Sequence, residues 1–290
     1  MNEPIDAAAI ASRMDAVEKI LRSMGSVAIA VSGGVDSMTL ATFAHRALGG
    51  DVTMFHATSP AVPGEATART RDLGTREGWN LTIIDAGEFQ SADYMANPVN
   101  RCFHCKTSLY GAITPHTVAQ VVSGANLDDL GEYRPGLIAA KDHNVRHPWV
   151  EAQVDKKMVR NIARHLGLPD LAELPSSPCL SSRIETGIGI DAQMLACVHA
   201  TEKLVTGRLD PKTVRCRVRA EGVVIELDAD SLAAMTVDNR TRLADEVKAL
   251  FRAAGFDYLV SFATYRVGSA FLHPVKLVRT PTPDSAVSTT

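Results

Sequence analysis

The feature that most constrains the fold of this chain is an apolar segment that runs directly into a glycine-rich turn. Residues 27–31 are a continuous run of Val, Ala and Ile, which is typical of a strand buried on both faces of a parallel sheet. The turn at residues 32–37 reads SGGVDS, and residues 38–48 have the pattern of a helix. We therefore predict a strand, a tight turn and a helix in succession, as in α/β proteins.

The same alternation continues along the first part of the chain. Further strands are predicted at residues 51–56, 81–85 and 119–124, and helices at residues 7–24, 65–77 and 156–166. Strands that alternate with helices indicate a parallel sheet. We therefore assign the fold to the α/β class.

Beyond a loop rich in Pro and Ser at residues 174–183, the pattern changes. Helices are predicted at residues 191–206 and 241–254, and strands at residues 214–219, 222–227 and 258–262. This mixture is typical of an α+β domain. The sequence thus predicts an α/β domain over residues 1–178, a smaller α+β domain over residues 179–279 and a disordered tail over residues 280–290.

Composition argues against several classes of protein. The net charge of −3 disfavours indiscriminate binding of nucleic acid, which needs a cationic surface. No segment is apolar enough to span a membrane, and the N-terminus lacks the basic and apolar segments of a signal peptide. The five cysteines favour free, catalytic or metal-binding thiols over structural disulfides. We therefore expect a cytoplasmic protein that binds neither membranes nor nucleic acid.

The SGGVDS turn has the features of an anion-binding site, because unpaired N–H groups and the helix dipole meet where the next helix begins. Gly33 and Gly34 permit close approach of an anion to the backbone. Ser32 and Ser37 offer hydroxyl donors. Asp36 is anionic, so beside a phosphate it is best explained as a ligand of Mg²⁺. A plain turn is the alternative that two adjacent glycines alone would favour.

The turn differs from other phosphate-binding loops. It lacks both the Lys-Ser or Lys-Thr pair of the Walker A motif and the Gly-x-Gly-x-x-Gly of the dinucleotide fingerprint. Its six residues, placed after an apolar strand, resemble the S-G-G-x-D-S loop of the ATP pyrophosphatase (PP-loop) superfamily. That resemblance implies a Rossmann-like (HUP) parallel sheet. It also implies attack of a substrate oxygen on the α-phosphorus of ATP, with release of pyrophosphate.

A polar motif follows the last predicted strand of the first domain. Residues 123–129 read SGANLDD, and residues 132–136 read EYRPG. Open α/β sheets bind ligands at the carboxyl ends of their strands. We therefore expect Gly124, Asn126 and Asp129 to contribute to the ATP site.

Two cysteine motifs narrow the resemblance. Residues 97–106 read NPVNRCFHCK, and residues 178–183 read PCLSSR. With the SGGVDS turn they resemble the LarE family of PP-loop sulfur transferases, over nearly the whole chain as far as residues 265–269. The resemblance implies adenylylation of a carboxylate on a pyridinium mononucleotide, followed by displacement of AMP by sulfur to give a thiocarboxylate. It also suggests a homo-oligomer, with a hexamer as a candidate.

The resemblance leaves two sources of sulfur. In some family members one cysteine gives up its own sulfur and becomes dehydroalanine, and Cys179 matches that position. In others three cysteines hold a 4Fe–4S cluster whose fourth iron carries an exchangeable sulfide. Because Cys102 and Cys105 accompany Cys179, we expect the cluster. From the residues alone, a zinc site completed by His104 and Cys197, or a redox disulfide, are alternatives.

Arginines of the second domain are candidates for substrate binding. Arg215, Arg217 and Arg219 alternate along one predicted strand and therefore face one way. Such a face could bind the phosphate and carboxylate groups of a substrate, although a solvated strand face is the ordinary explanation. The candidate substrate-binding residues are Ser182, Arg183, Arg215, Arg217 and Arg266.

Asp36 and Cys179 are the candidate catalytic residues, whereas Cys197 and Cys216 are interpreted as packing cysteines. The sequence departs from the family pattern at residues 263–269, ATYRVGS, where Gly is expected before the Tyr-Arg pair. The arginine strand also lacks the family's usual His or Asp. Both departures lie in the substrate-facing half, so they concern the identity of the substrate more than the ATP chemistry.

Three other functions remain as alternatives. A tRNA thiolase would need a basic RNA-binding face, which the net charge of −3 disfavours. An ammonia-using ligase of the NAD or GMP synthetase type would not need Cys102, Cys105 or Cys179. A non-catalytic nucleotide-binding module would not need Asp36 with its flanking serines. We therefore predict an ATP-dependent sulfur transferase that acts on a small nucleotide substrate.

Overall fold

The computed structural model describes residues 7–131 and 134–271 of the chain. They form two sheets with associated helices, and the first sheet is parallel with the strand order β3-β2-β1-β4. Its strands are β1 (Val27–Ala30), β2 (Val52–Thr58), β3 (Asn80–Asp85) and β4 (Gln120–Ser123). The predicted α/β class is therefore confirmed.

Strand β1 lies at the centre of this sheet because its residues are apolar on both faces. All of its residues are buried, and it pairs in parallel with β2 on one side and with β4 on the other. Ala30 pairs with both Phe55 and Ser123, so the segments that follow β1 and β4 start next to each other at the carboxyl edge of the sheet. The strand order reverses between β1 and β4, and open α/β sheets bind ligands at such switch points.

Nine α-helices accompany this sheet in the described residues up to residue 178. They are α1 (Ala7–Arg22), α2 (Val35–Leu48), α3 (Gly64–Glu77), α4 (Ala92–Met95), α5 (Arg101–Ile113), α6 (Pro135–Asp142), α7 (Pro148–Glu151), α8 (Lys156–His165) and α9 (Pro169–Ala172). Helix α2 begins at Val35 rather than at the predicted Met38. The residues Asp36 and Ser37 of the SGGVDS turn therefore lie in the first turn of that helix.

Sequence periodicity does not predict helix α5, which carries the first cysteine motif. Its buried residues are Arg101, Tyr110 and Ile113, so only its C-terminal half shows apolar spacing. The helix places Cys102 and Cys105 one turn apart on the same face. The spacing of the two cysteines is thus helical.

The second sheet is mixed, with the strand order β5-β6-β7. Its strands are β5 (Val214–Arg219), β6 (Gly222–Leu227) and β7 (Val260–Thr264). Strands β5 and β6 pair antiparallel, and β7 pairs in parallel with β6. The accompanying helices are α10 (Ala192–Leu209), α11 (Ala229–Ala234) and α12 (Val237–Ala253). This arrangement matches the predicted α+β pattern, although β7 begins two residues beyond its predicted start at 258.

The two regions pack together where the second cysteine motif begins. Ala61, which follows β2, and Tyr94 of α4 are buried in the hydrophobic core of the second sheet with Leu180 and Ile184. The backbone N–H of Leu180 donates to the carbonyl oxygen of Ala61 at 2.8 Å. The domain boundary after residue 178 stays a prediction, and residues on both sides of it share one core.

Within residues 7–131 and 134–271, no helix has the length and apolar character needed to cross a membrane. The predicted tail at residues 280–290 lies outside the described residues. Glu132 and Tyr133 of the EYRPG motif lie outside them as well.

We expect Phe251→Ala to destabilise the second region. The side chain of Phe251 is fully buried in α12 against the second sheet, so its loss should lower the free energy of unfolding by about 3–5 kcal/mol. Urea titration followed by far-ultraviolet circular dichroism measures this change. The matched control is Leu259→Ala, since Leu259 is 74% exposed, and it should change stability by less than about 0.5 kcal/mol. Equal losses in the two variants would contradict the assigned core.

Candidate functional site

The SGGVDS turn leads from the end of β1 into α2 at the carboxyl edge of the parallel sheet. Gly33 has a φ of +81°, and a Cβ atom there would lie 2.7 Å from the carbonyl oxygen of Ala66 in α3. Only glycine fits both this conformation and this contact. Arg69 of the same helix donates from Nη1 to the carbonyl oxygen of Gly33 at 2.5 Å. Helix α3 therefore forms one wall of the turn.

The two serines hold the shape of the turn. The N–H of Ser32 donates to Oγ of Ser37 at 3.0 Å, and the two hydroxyl oxygens are 3.0 Å apart. The hydroxyl of Ser37 also donates to the carbonyl oxygen of Gly34 at 3.3 Å. These bonds fix the turn at the N-terminus of α2, where unpaired N–H groups and the helix dipole attract anions.

Gly124, which follows β4, packs against the same helix terminus. A Cβ atom there would lie 2.6 Å from the backbone nitrogen of Ser37, so only glycine fits. Asn126 is 3% exposed and donates from Nδ2 to Oδ1 of Asp36 at 3.0 Å. Asp129 accepts from the N–H of Asn126 at 3.0 Å. The structure thus brings together the residues predicted for the ATP site, namely Ser32, Gly33, Gly34, Asp36, Ser37, Gly124, Asn126 and Asp129.

Asp36 is the centre of a polar network. Its Oδ2 forms an ion pair with Nζ of Lys156, the first residue of α8. Its carbonyl oxygen accepts from Nε1 of Trp149 at 3.1 Å. The backbone N–H of Lys156 also donates to Asp128 at 3.2 Å. The carboxylate that is expected to bind Mg²⁺ is therefore neutralised here by an ammonium group.

Sequence reasoning misses Lys156 and Trp149, because nothing local in the sequence connects them to the SGGVDS turn. One signal was available for the lysine. Lys156 and Lys157 occupy the first turn of α8, where the helix dipole disfavours positive charge. A cation in that position indicates an acidic partner elsewhere in the fold, and for Lys156 that partner is Asp36.

Two histidines support the strand ends beneath the turn. Nδ1 of the buried His56 lies 2.8 Å from the carbonyl oxygen of Val31, and its Nε2 lies 2.9 Å from Oγ1 of Thr67. Burial lowers the pKa of His56, so the neutral ring donates from Nδ1 and accepts the Thr67 hydroxyl at Nε2. Nδ1 of His147 lies 2.9 Å from Oγ of Ser123, and burial lowers the pKa of His147 too.

The two cysteine motifs approach each other from α5 and from the loop before the short helix Leu180–Arg183. Cys102, Cys105 and Cys179 are half-buried free thiols. Burial, together with charge on Cys179, raises the pKa of Cys102 and raises that of Cys105 to about 12. The three sulfur atoms are therefore electrostatic neighbours. A cation or a metal is needed to ionise the two thiols of α5 at neutral pH.

Lys106 brings positive charge to these thiols. Its ammonium lies 5.8 Å from the ring centroid of Tyr110. Burial opposes its charge, but Tyr110 and the neighbouring cysteines raise the pKa of Lys106. A Cβ atom on Gly136 would lie 3.1 Å from Cγ of Lys106, so α6 packs closely on the lysine stem. The charged Lys106 is thus held between α5 and α6.

Arg183 fixes the backbone around Cys179. Its guanidinium is buried and makes a two-point ion pair with Glu202 of α10, at 2.9 and 3.1 Å. It also donates to the carbonyl oxygens of Pro178 at 2.6 Å and Cys179 at 3.2 Å. A further bond at 3.1 Å reaches the hydroxyl of Ser182. The donors of this side chain are therefore engaged within the protein.

Arg217 and Arg219 share one buried carboxylate. Nε of Arg217 and Nη2 of Arg219 donate to Glu226 at 3.1 and 2.8 Å. Arg217 also donates to the carbonyl oxygen of Ser182 at 2.9 Å. The hydroxyl of Ser269 donates to the same carboxylate at 2.7 Å. The second sheet thereby holds the PCLSSR segment.

Arg215 donates hydrogen bonds to backbone carbonyl oxygens, those of Val214 and Ser176. It donates to the carbonyl oxygen of Ser176 at 3.0 Å, and its guanidinium lies 5.7 Å from the ring centroid of Tyr265. Burial and the charge of Arg183 lower the pKa of Arg215. Arg266 is exposed on the surface. Substrate binding stays a prediction for all of the residues to which it was assigned: Ser182, Arg183, Arg215, Arg217 and Arg266.

In the described part of the chain, no three Cys, His, Asp or Glu side chains converge on a point that could hold a single metal ion. Cys102, His104, Cys105 and Cys197, the residues of the zinc alternative, are among the described side chains that do not converge in this way. Cys197 and Cys216 are buried packing residues, as predicted. A 4Fe–4S cluster does not require its thiolates to converge on one point, because each thiolate binds a different iron atom. The three neighbouring thiols fit such a group in number and in ligand type.

Comparison with known proteins identifies relatives that span most of the chain. The uncharacterized protein slr1717 of Synechocystis sp. is 33% identical over 231 residues, which cover 78% of this chain and 85% of the relative. Pyridinium-3,5-bisthiocarboxylic acid mononucleotide synthase of Lactiplantibacillus plantarum is 28% identical over 260 residues, or 87% of this chain and 91% of the relative. A glutamine-hydrolyzing GMP synthase chain from Methanopyrus kandleri is 29% identical over 174 residues, or 54% of this chain and 55% of the relative. No family model matches the chain.

We expect Gly124→Ala to weaken the binding of ATP by at least about tenfold, equivalent to about 1.4 kcal/mol. The added methyl group would lie 2.6 Å from the backbone nitrogen of Ser37 and would displace the start of α2. Isothermal titration calorimetry with ATP and Mg²⁺ measures the affinity. Gly207→Ala serves as the control, since a methyl group there meets no atom within 4 Å. Unchanged affinity in the Gly124 variant would contradict this placement of the site.

Proposed function

Because this chain belongs to the LarE family of the PP-loop ATP pyrophosphatase superfamily, we propose that it is an ATP-dependent sulfur transferase acting on a pyridinium mononucleotide. The observation that carries the proposal is the position of an anion-binding turn and three neighbouring thiols at the same edge of one parallel sheet. The name of the relative from Lactiplantibacillus plantarum supports the class of substrate.

In the first step, a carboxylate oxygen of the substrate attacks the α-phosphorus of ATP. The bond from that phosphorus to the bridging oxygen of the β-phosphate breaks, and pyrophosphate leaves. The product is a mixed anhydride of the carboxylate and AMP. The step is chemically necessary because a carboxylate is a poor electrophile, whereas AMP is a good leaving group. The N-terminus of α2 and the backbone of the turn would hold the triphosphate.

The ion pair between Asp36 and Lys156 gives both residues a role in this step. Entry of ATP with Mg²⁺ brings a cation for Asp36 and phosphate oxygens for Lys156, so one ion pair would be exchanged for two others. Lys156 would then counter the negative charge that develops on the departing pyrophosphate. Asn126, which donates to Asp36, would keep the carboxylate oriented throughout.

The arginines around Cys179 suit a substrate that carries phosphate and carboxylate groups. Four guanidinium groups face two buried carboxylates there, so positive charge is in excess: Arg183, Arg215, Arg217 and Arg219 against Glu202 and Glu226. Arg215 would gain most from an anion, because burial and the charge of Arg183 disfavour its own charge. Nε of Arg219 is buried and has no hydrogen-bond partner among the described residues.

In the second step, sulfur attacks the acyl carbon of the mixed anhydride, and AMP leaves with the bridging oxygen. A 4Fe–4S cluster, when bound, supplies an exchangeable sulfide, and Cys102, Cys105 and Cys179 would hold it. In the alternative, Sγ of Cys179 attacks and forms a thioester. Loss of the Cα proton and breakage of the Cβ–S bond then leave dehydroalanine and a thiocarboxylate. The two thiols of α5 favour the cluster.

Parallel assays of pyrophosphate release test the proposed function. We expect pyridinium biscarboxylic acid mononucleotide to stimulate release from ATP at least about tenfold more than tRNA or ammonia does. Asp36→Asn should abolish the stimulation, because the variant cannot bind Mg²⁺ in the same way. Greater stimulation by tRNA would favour a thiolase of RNA, and greater stimulation by ammonia would favour an amide-forming ligase. Either result would overturn the proposed substrate.

Iron analysis separates the two sources of sulfur. After anaerobic reconstitution we expect a brown protein with about four iron atoms per chain. Cys102→Ala should lose the iron, while Cys197→Ala, which alters a packing cysteine, should retain it. An iron-free protein that stays active and loses the elements of H₂S from Cys179 would instead establish the sacrificial reaction. Intact-protein mass spectrometry before and after turnover detects that loss.

A further inference from the structure

Asn97, the first residue of the NPVNRCFHCK motif, is completely buried and has a φ of +52°. Few residues other than glycine adopt this left-handed conformation, and Asn is among those that tolerate it. Its Nδ2 donates to the carbonyl oxygens of Glu185 and Ile188, both at 2.8 Å. Both amide protons therefore form hydrogen bonds with the segment that directly follows PCLSSR.

The other polar groups near Asn97 join the same two segments. Its Oδ1 accepts from Nη1 of Arg101, the first residue of α5. Its carbonyl oxygen accepts from the N–H of Gly187 at 2.9 Å. The carbonyl oxygen of Met95 accepts from the N–H of Ile190 at 2.8 Å. Residues 95–97, before the cysteine helix, are thus bonded to residues 185–190, after Cys179, and the two segments run in opposite directions.

A second bond reinforces this connection. The hydroxyl groups of Tyr94 and Ser181 are 2.6 Å apart, and both residues are buried. Tyr94 lies just before Asn97, and Ser181 lies two residues after Cys179. Side-chain and backbone bonds that cross from one motif to the other therefore connect the Cys179 loop to the start of α5.

Arg101 extends the connection to the thiols. It is 2% exposed, and its Nη2 has no hydrogen-bond partner among the described residues. A buried donor without a partner is costly, and an anionic sulfur beside Cys102 would satisfy it. Asn97 thus holds the guanidinium of Arg101 in a position from which Nη2 could donate a hydrogen bond to an anionic sulfur.

We propose that Asn97 is a positioning residue for the sulfur-transfer step, and that it sets the distance between Cys179 and the two thiols of α5. The inference rests on the proposed function, since it assigns Asn97 to the second of two steps. The hydrogen bonds of Asn97 go to residues around the two cysteine motifs. The first step, at the SGGVDS turn, should therefore proceed without its side chain.

Two variants test this role. Asn97→Gly keeps the left-handed conformation but removes the amide, and Asn97→Asp keeps the size and the contact to Arg101 but removes both N–H donors. In each we expect thiocarboxylate formation to fall at least about tenfold, while substrate-dependent pyrophosphate release stays within about twofold of the unaltered protein. Asn144→Gly is the matched control, because Asn144 also has a positive φ, of 53°, but is exposed. It should leave both rates unchanged.

Thiol cross-linking gives a readout that needs no substrate. A short bis-maleimide joins two thiols that lie within its reach, and peptide mass spectrometry identifies the residues that it joins. We expect a link between Cys179 and a thiol of α5 in the unaltered protein and none in Cys179→Ala. The Asn97 variants should lose most of this link, because Cys179 is no longer held beside α5. An unchanged yield of the link in both Asn97 variants would overturn the proposal.

The two proposals fail in different ways. If the unaltered protein forms no thiocarboxylate, the proposed function is wrong, and the cross-linking yield still decides whether Asn97 sets the spacing of the cysteines. If Asn97→Gly does not fold, the isosteric Asn97→Asp decides it with the same measurements. Equal loss of pyrophosphate release and of sulfur transfer in a folded Asn97→Asp protein would show a general structural role and would overturn the assignment to one step.

Discussion

The parallel pairing of β4 with β1 is the constraint on which the rest of the site depends. It carries the chain that leaves β4 onto the first turn of α2, and the contact is so close that only Gly124 fits there. Asn126 then reaches Asp36, and the following segments bring Trp149 and Lys156 to the same carboxylate. Without that pairing, the SGGVDS turn would be a strand-to-helix connection with no partners for its acidic residue.

The second half of the site is built on buried charge. Arg183 with Glu202, and Arg217 with Glu226, are almost fully buried ion pairs, and such pairs contribute little net stability because both ions lose their hydration. Their geometric effect is larger. They hold the backbone on either side of Cys179, because Arg183 donates to the carbonyl oxygens of Pro178 and Cys179 and Arg217 donates to that of Ser182.

Much of the fold could be predicted from the sequence, because β1, the SGGVDS turn and the body of α2 are local patterns, although α2 begins three residues before its predicted start. Residues that meet only through long-range pairing could not, and Lys156 is the clearest case. The arginines of β5 combine a feature that the local sequence predicts with one that it does not. Their common face follows from strand alternation, but their partner follows from register: Arg215 pairs with Glu226 across a two-residue turn, which places the carboxylate among the arginines. The sequence contains this information, but only once the hairpin has been aligned.

One short segment links the two halves of the site. Between β2 and α3, Ala61 accepts the N–H of Leu180 beside Cys179, while Ala66 packs against Gly33 of the turn. Glu65, at the start of α3, also pairs with His199 on α10. Residues 61–66 therefore contact both the SGGVDS turn and the loop that carries Cys179. Because packed side chains leave little free volume, a substitution that shifts this segment should disturb the nucleotide site and the thiol loop together.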